Sequence, residues 1–209
     1  MRQHVNPLSK FFQEIEPIPT LSEIFNQPWN PLHIDVGCGS GNFLLQLANQ
    51  NKSWNYIGLE IREKLVNNAK LKLKNQSLDN LFFAFGNANY LIDECIGKFP
   101  EDVLLSVSFN FPDPWFKKKH QKRRIIQPQL IHNISQLMVN GGSISIKSDV
   151  EELFQYMDMT ISNSKSFITY TYQDNEIFDS YNPTNLKTNR EDYAIKKNLK
   201  IFEKLYKKI

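Results

Sequence analysis

The sequence predicts an α/β protein built on a Rossmann-like, doubly wound, seven-stranded sheet, mostly parallel with an antiparallel closing strand. Three observations predict it. From Leu32 onward, short apolar runs alternate with amphipathic stretches of helical length, the rhythm of successive βα units. A glycine turn, Gly37-Cys38-Gly39-Ser40-Gly41, separates the first run from the first helical stretch. Polar or glycine-rich residues follow each run, at the edge where such sheets bind ligands.

Residues 1–31 hold Pro7, Pro17, Pro19, Pro28 and Pro31 among apolar residues of no steady period, which predicts an irregular or partly helical arm. Residues 32–209 are expected to form a single domain, a size suited to one core. Strands are expected over 32–36, 54–60, 81–85, 102–109 and 143–148, with helices over 41–50, 62–75, 88–98, 126–138 and 150–163. Two later stretches, 166–172 and 199–206, are available to close the sheet. The second reads as strand or helix, because Ile201, Phe202, Leu205 and Tyr206 have helical spacing.

With 41% hydrophobic and 22% charged residues the composition is that of a folded domain. The net charge of +3 says little; what matters for nucleic acid is where cations cluster. Cys38 and Cys95 are the only cysteines and have no ligand spacing, which argues against a disulfide framework or a zinc site. Cys38, inside the glycine turn, reads as a compact filler. No apolar run approaches membrane-spanning length and MRQHVNPLSKFF has no signal core, so a cytoplasmic protein is expected.

In the loop Asp35-Val-Gly37-Cys-Gly39-Ser-Gly41, glycines permit positive φ and let a ligand lie against bare backbone. A dinucleotide loop reads GxGxxG and aims a helix N-terminus at a pyrophosphate. This one reads GxGxG with an acid two positions ahead, which suits S-adenosyl-L-methionine: it has no phosphate, but it carries an ammonium for Asp35 to meet. Glu60, ending the second strand, is placed to accept both ribose hydroxyls, and Asn87, after the third, to touch the adenine edge.

After the fourth strand comes Asn110-Phe-Pro-Asp113-Pro-Trp115-Phe-Lys117-Lys-Lys-His-Gln-Lys-Arg-Arg124. Asp113 stands in a turn stiffened by prolines on both sides. Trp115 offers either a face for base stacking or an anchor for the turn. Lys117, Lys118, Lys119, Lys122, Arg123 and Arg124 concentrate charge suited to a phosphate backbone, although such a run is commonly just a solvated face. Its place at the ligand edge, four residues after Asp113, favours RNA.

These segments resemble the bacterial tRNA (guanine-N7)-methyltransferase family, members of the class I S-adenosylmethionine-dependent methyltransferases. The resemblance runs from RQHVNPLSKFF through HIDVGCGSGNF, GLEIRE, NFPDPWFKKKHQKRR and KSDVEELF to Thr188-Asn189-Arg190-Glu191. The proline-flanked Asp113 block is its most specific part. The resemblance implies methyl transfer to guanine N7 in the tRNA variable loop, at guanine-46. It further implies that Asp35, Gly37, Gly39, Glu60, Asn87 and Asp113 line the cofactor site. Lys117, Asp149, Thr188, Asn189, Arg190 and Glu191 would meet the RNA. The expected partner is tRNA, with the enzyme a monomer or homodimer and no obligate second subunit. Two positions depart from the family: Asn87 stands where many relatives have Asp, and Arg190 where an aromatic is usual.

Guanine N7 already has a lone pair, so the chemistry needs positioning and charge stabilisation rather than a base. Asp113 is the candidate for the catalytic role, with Asp149 and Glu191 as further acceptors. Asp149 reads equally well as a helix N-cap, and Thr188 with Glu191 matches a capping box. His120 is expected at a phosphate or in solvent; His4, His33 and His132 look structural or exposed. Two rivals remain: a non-catalytic RNA-binding module, against which the intact loop argues, and a small-molecule methyltransferase, which has no use for the 117–124 cations.

Overall fold

In the computed structural model, which describes residues 5–12, 17–171, 181–182 and 184–209, the strands form one seven-stranded sheet. In chain order they are β1 (Leu32–Val36), β2 (Asn55–Glu60), β3 (Leu81–Phe85), β4 (Leu104–Asn110), β5 (Met138–Ser148), β6 (Phe167–Tyr170) and β7 (Phe202–Lys208). Their spatial order is β3-β2-β1-β4-β5-β7-β6. Strands β1 to β5 pair in parallel, and β7 runs antiparallel to both β5 and β6. The antiparallel strand therefore slots in beside the edge rather than at it.

Strand order reverses between β1 and β4, which opens a crevice at their carboxyl ends, the site of ligand binding in open α/β sheets. The pleat of β1 sorts its side chains by face. Leu32, Ile34 and Val36 join the larger apolar core, under α4 (Ala88–Asp93), α5 (Pro128–Leu137) and α6 (Glu151–Ser162). The other face packs against α2 (Asn42–Gln50) and α3 (Glu63–Lys74), whose core includes Leu44, Leu47, Val66, Ala69 and Phe83. Gly41, the left-handed cap of α2, permits that approach: a Cβ there would lie 2.5 Å from the Phe83 ring. Cys38 fills the same layer, its sulfur 2.7 Å from where a Cβ on Gly58 would stand, and burial pushes its thiol pKa up.

The amino-terminal arm contributes to the main core. Ile18, Leu21 and Phe25 are buried with β1 and β4, around the short helix α1 (Leu21–Ile24). Phe11 and Phe12 pack on Phe85 at centroid distances of 6.1 and 6.2 Å.

Several boundaries differ from expectation for identifiable reasons. The 88–98 helix stops at Asp93 and continues as tight turns through Phe99, with Gly97 at φ +73°. Strand β5 begins at Met138, because Leu104 pairs with Met138 across a register shift. The ambiguous 199–206 stretch is strand from Phe202: Asn198, at φ +51°, ends α7 (Asn189–Lys196), and pairing on both sides then outweighs the helical spacing. Of 166–172, the strand is Phe167–Tyr170; residue 172 lies outside the described residues, as does His4. Among the described residues, no helix is long and apolar enough to cross a membrane.

Candidate active site

Two cavities meet at the crevice. The larger, about 490 Å³, is lined by Glu60, Gly86 and Asn87 from the ends of β2 and β3, with Pro7 and Leu8 of the arm above. The smaller, about 280 Å³, is lined by Asp35, Gly39 and Asn110 and by Thr188, Asn189 and Arg190. Gly37, Arg62, Phe111 and Asp113 line both, so these four form the wall between them.

Asp35 sits on the polar face of β1. Its Oδ1 accepts from Ser108 Oγ at 2.7 Å and Asn110 Nδ2 at 3.1 Å, both from β4. Behind it, His33 is fully buried between Ser106 and Ser108 and stacked on Tyr181 at 4.0 Å; burial lowers its pKa to about 3. His33 is thus a neutral structural residue. Burial also raises the Asp35 pKa to about 6, against the pull of its two donors. A cationic ligand would relieve that desolvation. Above Asp35, Gly37 and Gly39 adopt φ +88° and +59°, and a Cβ on Gly39 would meet nothing within 4 Å. The two glycines thus present bare backbone to the cavities, whereas Gly41 serves helix packing.

Glu60 is almost completely buried and heavily bonded. Its Oε2 accepts from Gly39 N at 3.0 Å and Arg62 Nη2 at 2.9 Å; its Oε1 accepts from Arg62 N and Nε, both at 2.9 Å. Arg62, which sequence reasoning did not single out, therefore belongs to the site; its only signal was a place in GLEIRE. Asn87 caps α4 through Oδ1, accepting from Asn89 N at 3.1 Å, and donates to Pro7 O at 3.1 Å. It lines the larger cavity while tying down the arm.

In the Asn110–Arg124 segment, Phe111 and Trp115 take positive φ (51° and 47°), an unusual conformation for bulky residues. Trp115 is the anchor of the turn: Arg123 lies over its ring at 5.2 Å and His120 meets it edge-on at 5.7 Å. The exposed ring is Phe116, two-thirds accessible. Lys118–Arg123 form a 3-10 helix capped by Lys117. Arg124 corrects the reading of the basic run. It is 4% exposed, donates to Pro114 O at 3.0 Å, pairs with Glu152 at 2.6 Å and stacks on Tyr156 at 4.7 Å. Arg124 is a structural cation, leaving five for solvent or RNA. Burial and the neighbouring Arg123, Lys119 and Lys117 lower the pKa of His120.

The remaining predicted residues divide. Thr188, Asn189 and Arg190 line the smaller cavity; Lys117, Asp149 and Glu191 line neither. Asp149 is not the N-cap of α6: that place falls to Val150, whose N–H donates to Ser148 Oγ at 3.0 Å. Asp149 instead pairs with Arg190, whose guanidinium lies 4.9 Å from the Tyr193 ring. Thr188 does cap α7, its Oγ1 accepting from Glu191 N at 3.1 Å. The buried Glu191 carboxylate pairs with Lys147 of β5 at 2.9 Å.

A mostly parallel sheet of this order, with open glycine backbone over a buried, pKa-raised carboxylate and a second carboxylate ending β2, defines a class I methyltransferase. The donor set fits S-adenosyl-L-methionine, and the enzyme uses it as methyl donor. A "Putative methyltransferase" family model matches residues 29–204. A tRNA (guanine-N(7)-)-methyltransferase of Prochlorococcus marinus subsp. pastoris (strain MED4) is 55% identical over all 209 residues of both chains. One from Prochlorococcus marinus (strain MIT 9313) is 42% identical over 208 residues, 100% of this chain and 88% of that one. The chain belongs to the tRNA (guanine-N7)-methyltransferase family. Distant solved structures share the fold. An antibiotic-related methyltransferase matches with TM-score 0.59 and 18% identity, and the aminoglycoside resistance methyltransferase NpmB1 with 0.55 and 15%. Each alignment covers 90% of this chain and 92% of the other.

Proposed function

We propose that this enzyme methylates N7 of guanine-46 in the variable loop of tRNA, forming 7-methylguanosine. One observation carries the reading: Asp113 stands in the wall shared by a cavity fit for an adenosine and a smaller cavity rimmed by Thr188–Arg190. A cofactor with its adenosine in the larger cavity and its ammonium on Asp35 in the smaller one would cross this wall, where Asp113 stands.

When bound, S-adenosyl-L-methionine supplies an electrophilic methyl on a sulfonium. Asp35 would meet the ammonium, Gly37 and Gly39 would give room against the backbone, Glu60 would receive the ribose hydroxyls and Asn87 would face the adenine. Asp113 needs to remove no proton, because N7 attacks with its own lone pair. Its charge favours the positive charge that develops on the purine, and its oxygens accept from the guanine edge. Thr188, Asn189 and Arg190 border the guanine subsite. Asp149 and Glu191 act from behind, Asp149 by holding Arg190 and Glu191 by pairing with Lys147, which ties the first turn of α7 to β5. Lys117 and the exposed Lys118, Lys119 and Lys122 meet phosphates, with Arg123 braced on Trp115 beside them.

With this reading goes a division into an arm, residues 1–31, and one methyltransferase domain, residues 32–209. It also implies a cytoplasmic enzyme, monomeric or homodimeric, that works on tRNA without an obligate second subunit. The test is transfer of labelled methyl to unmodified tRNA followed by chemical cleavage at 7-methylguanosine. Cleavage at position 46, abolished when that guanine is replaced by adenine, is expected. Label retained in the replaced tRNA refutes the site assignment.

A further inference from the structure

A carboxylate offers about four lone-pair positions for hydrogen bonds. On Glu60 all four are taken: one by Gly39 N, one by Arg62 N, and two by the Arg62 guanidinium through Nε and Nη2. The two backbone donors are fixed by the glycine turn and by the start of α3. The two side-chain donors are not, for the Arg62 side chain is 29% exposed while that of Glu60 is 2% exposed. A guanidinium edge presents two parallel N–H donors to a carboxylate. A vicinal diol presents two O–H donors to the same pair of oxygens, so the two groups are competitors in kind as well as in place. Arg62 also lines both cavities and feels the Asp113 charge.

We propose that Arg62 is an internal competitor for the ribose subsite: its guanidinium holds the Glu60 oxygens that the cofactor's diol takes, and cofactor entry displaces it from them. The inference rests on the reading that Glu60 receives the ribose hydroxyls. It makes Arg62 a residue that sets cofactor affinity by opposing it. A subsite kept satisfied in this way spares Glu60 the cost of a buried, uncompensated charge.

Arg62→Met keeps the stem and the backbone N–H but removes the fork. Calorimetry with S-adenosylhomocysteine and with its 2′-deoxy analogue, at pH 8 and with circular dichroism as a fold control, separates the possibilities. The expected result is binding about tenfold or more tighter for S-adenosylhomocysteine in the variant, with a clearly smaller gain for the analogue. An equal gain for both ligands reports through-space charge repulsion and overturns the proposal; unchanged or weaker binding overturns it as well. Glu60→Gln in the parental background tests the reading beneath: if it leaves S-adenosylhomocysteine affinity unchanged, the Glu60–diol assignment has failed. If Glu60→Gln weakens binding but Arg62→Met does not strengthen it, only the Arg62 proposal has failed.

Discussion

The two cavities stand side by side on one sheet edge, yet their carboxylates are treated in opposite ways. Asp35, in β1, receives neutral side-chain donors from Ser108 and Asn110, and burial raises its pKa to about 6. Glu60, at the end of β2, already carries a cation through Arg62. Among the described residues, one acid has only neutral side-chain donors beside it; the other has a cation. The difference teaches that strand ends alone do not define a ligand's contacts. The charges that reach each end from neighbouring elements do.

The most severe way to break this comparison is at the shared wall. Asp113→Asn keeps the shape and removes the charge, and single-turnover methylation is expected to fall by about 10²–10³, while cofactor and tRNA affinities change far less. Collapse of tRNA affinity at unchanged turnover would instead make Asp113 a recognition residue. Next in size, Glu60→Ala is expected to cost about 1.5–3 kcal/mol of cofactor binding, measured by calorimetry, with the fold intact by circular dichroism.

Acid sharpens the contrast. A bound ammonium stabilises ionised Asp35, so cofactor affinity should be full above about pH 6 and decline as pH falls below it. Asp35→Asn should bind more weakly with that limb of the profile gone; a parental profile in the variant assigns the titration elsewhere. Because the folded pKa is raised from 3.8, the Asp35 contribution to stability is present at low pH and lost as pH rises through about 6.

The smallest effects are expected in the basic segment. Replacing Lys122 and Arg123 with Ala should flatten the salt dependence of tRNA binding by about one to two units. Arg124→Ala should keep the slope and lower the melting temperature, since Arg124 is spent on Glu152, Pro114 and Tyr156. A parental slope in the double variant would mark the run as a solvated face. Phe116→Ala should weaken tRNA binding by about 1 kcal/mol and leave cofactor binding alone, if the exposed ring stacks on a base.

What the sequence alone determined follows from local periodicity and from residue types with few uses. Alternating apolar runs located every strand of the parallel sheet, and glycines at 37, 39 and 41 marked the turn that must take positive φ. Because ligands of such a sheet bind at the carboxyl ends of its strands, the polar residues at or just after those ends, Asp35, Glu60, Asn87 and Asp113, were legible as lining of the crevice. Tertiary structure decided the rest, since partners distant in sequence leave no periodic trace. Nothing local to Arg124 distinguishes it from Lys122, yet Glu152 and Tyr156 bury one and leave the other in solvent. Nothing local to 199–206 selects strand over helix; β5 and β6 select it by offering pairing on both sides. Arg62, Arg190 and Glu191 likewise acquired their roles from Glu60, Asp149 and Lys147. Charge pairing acts through space, so only the fold determined which cations remain available to a ligand.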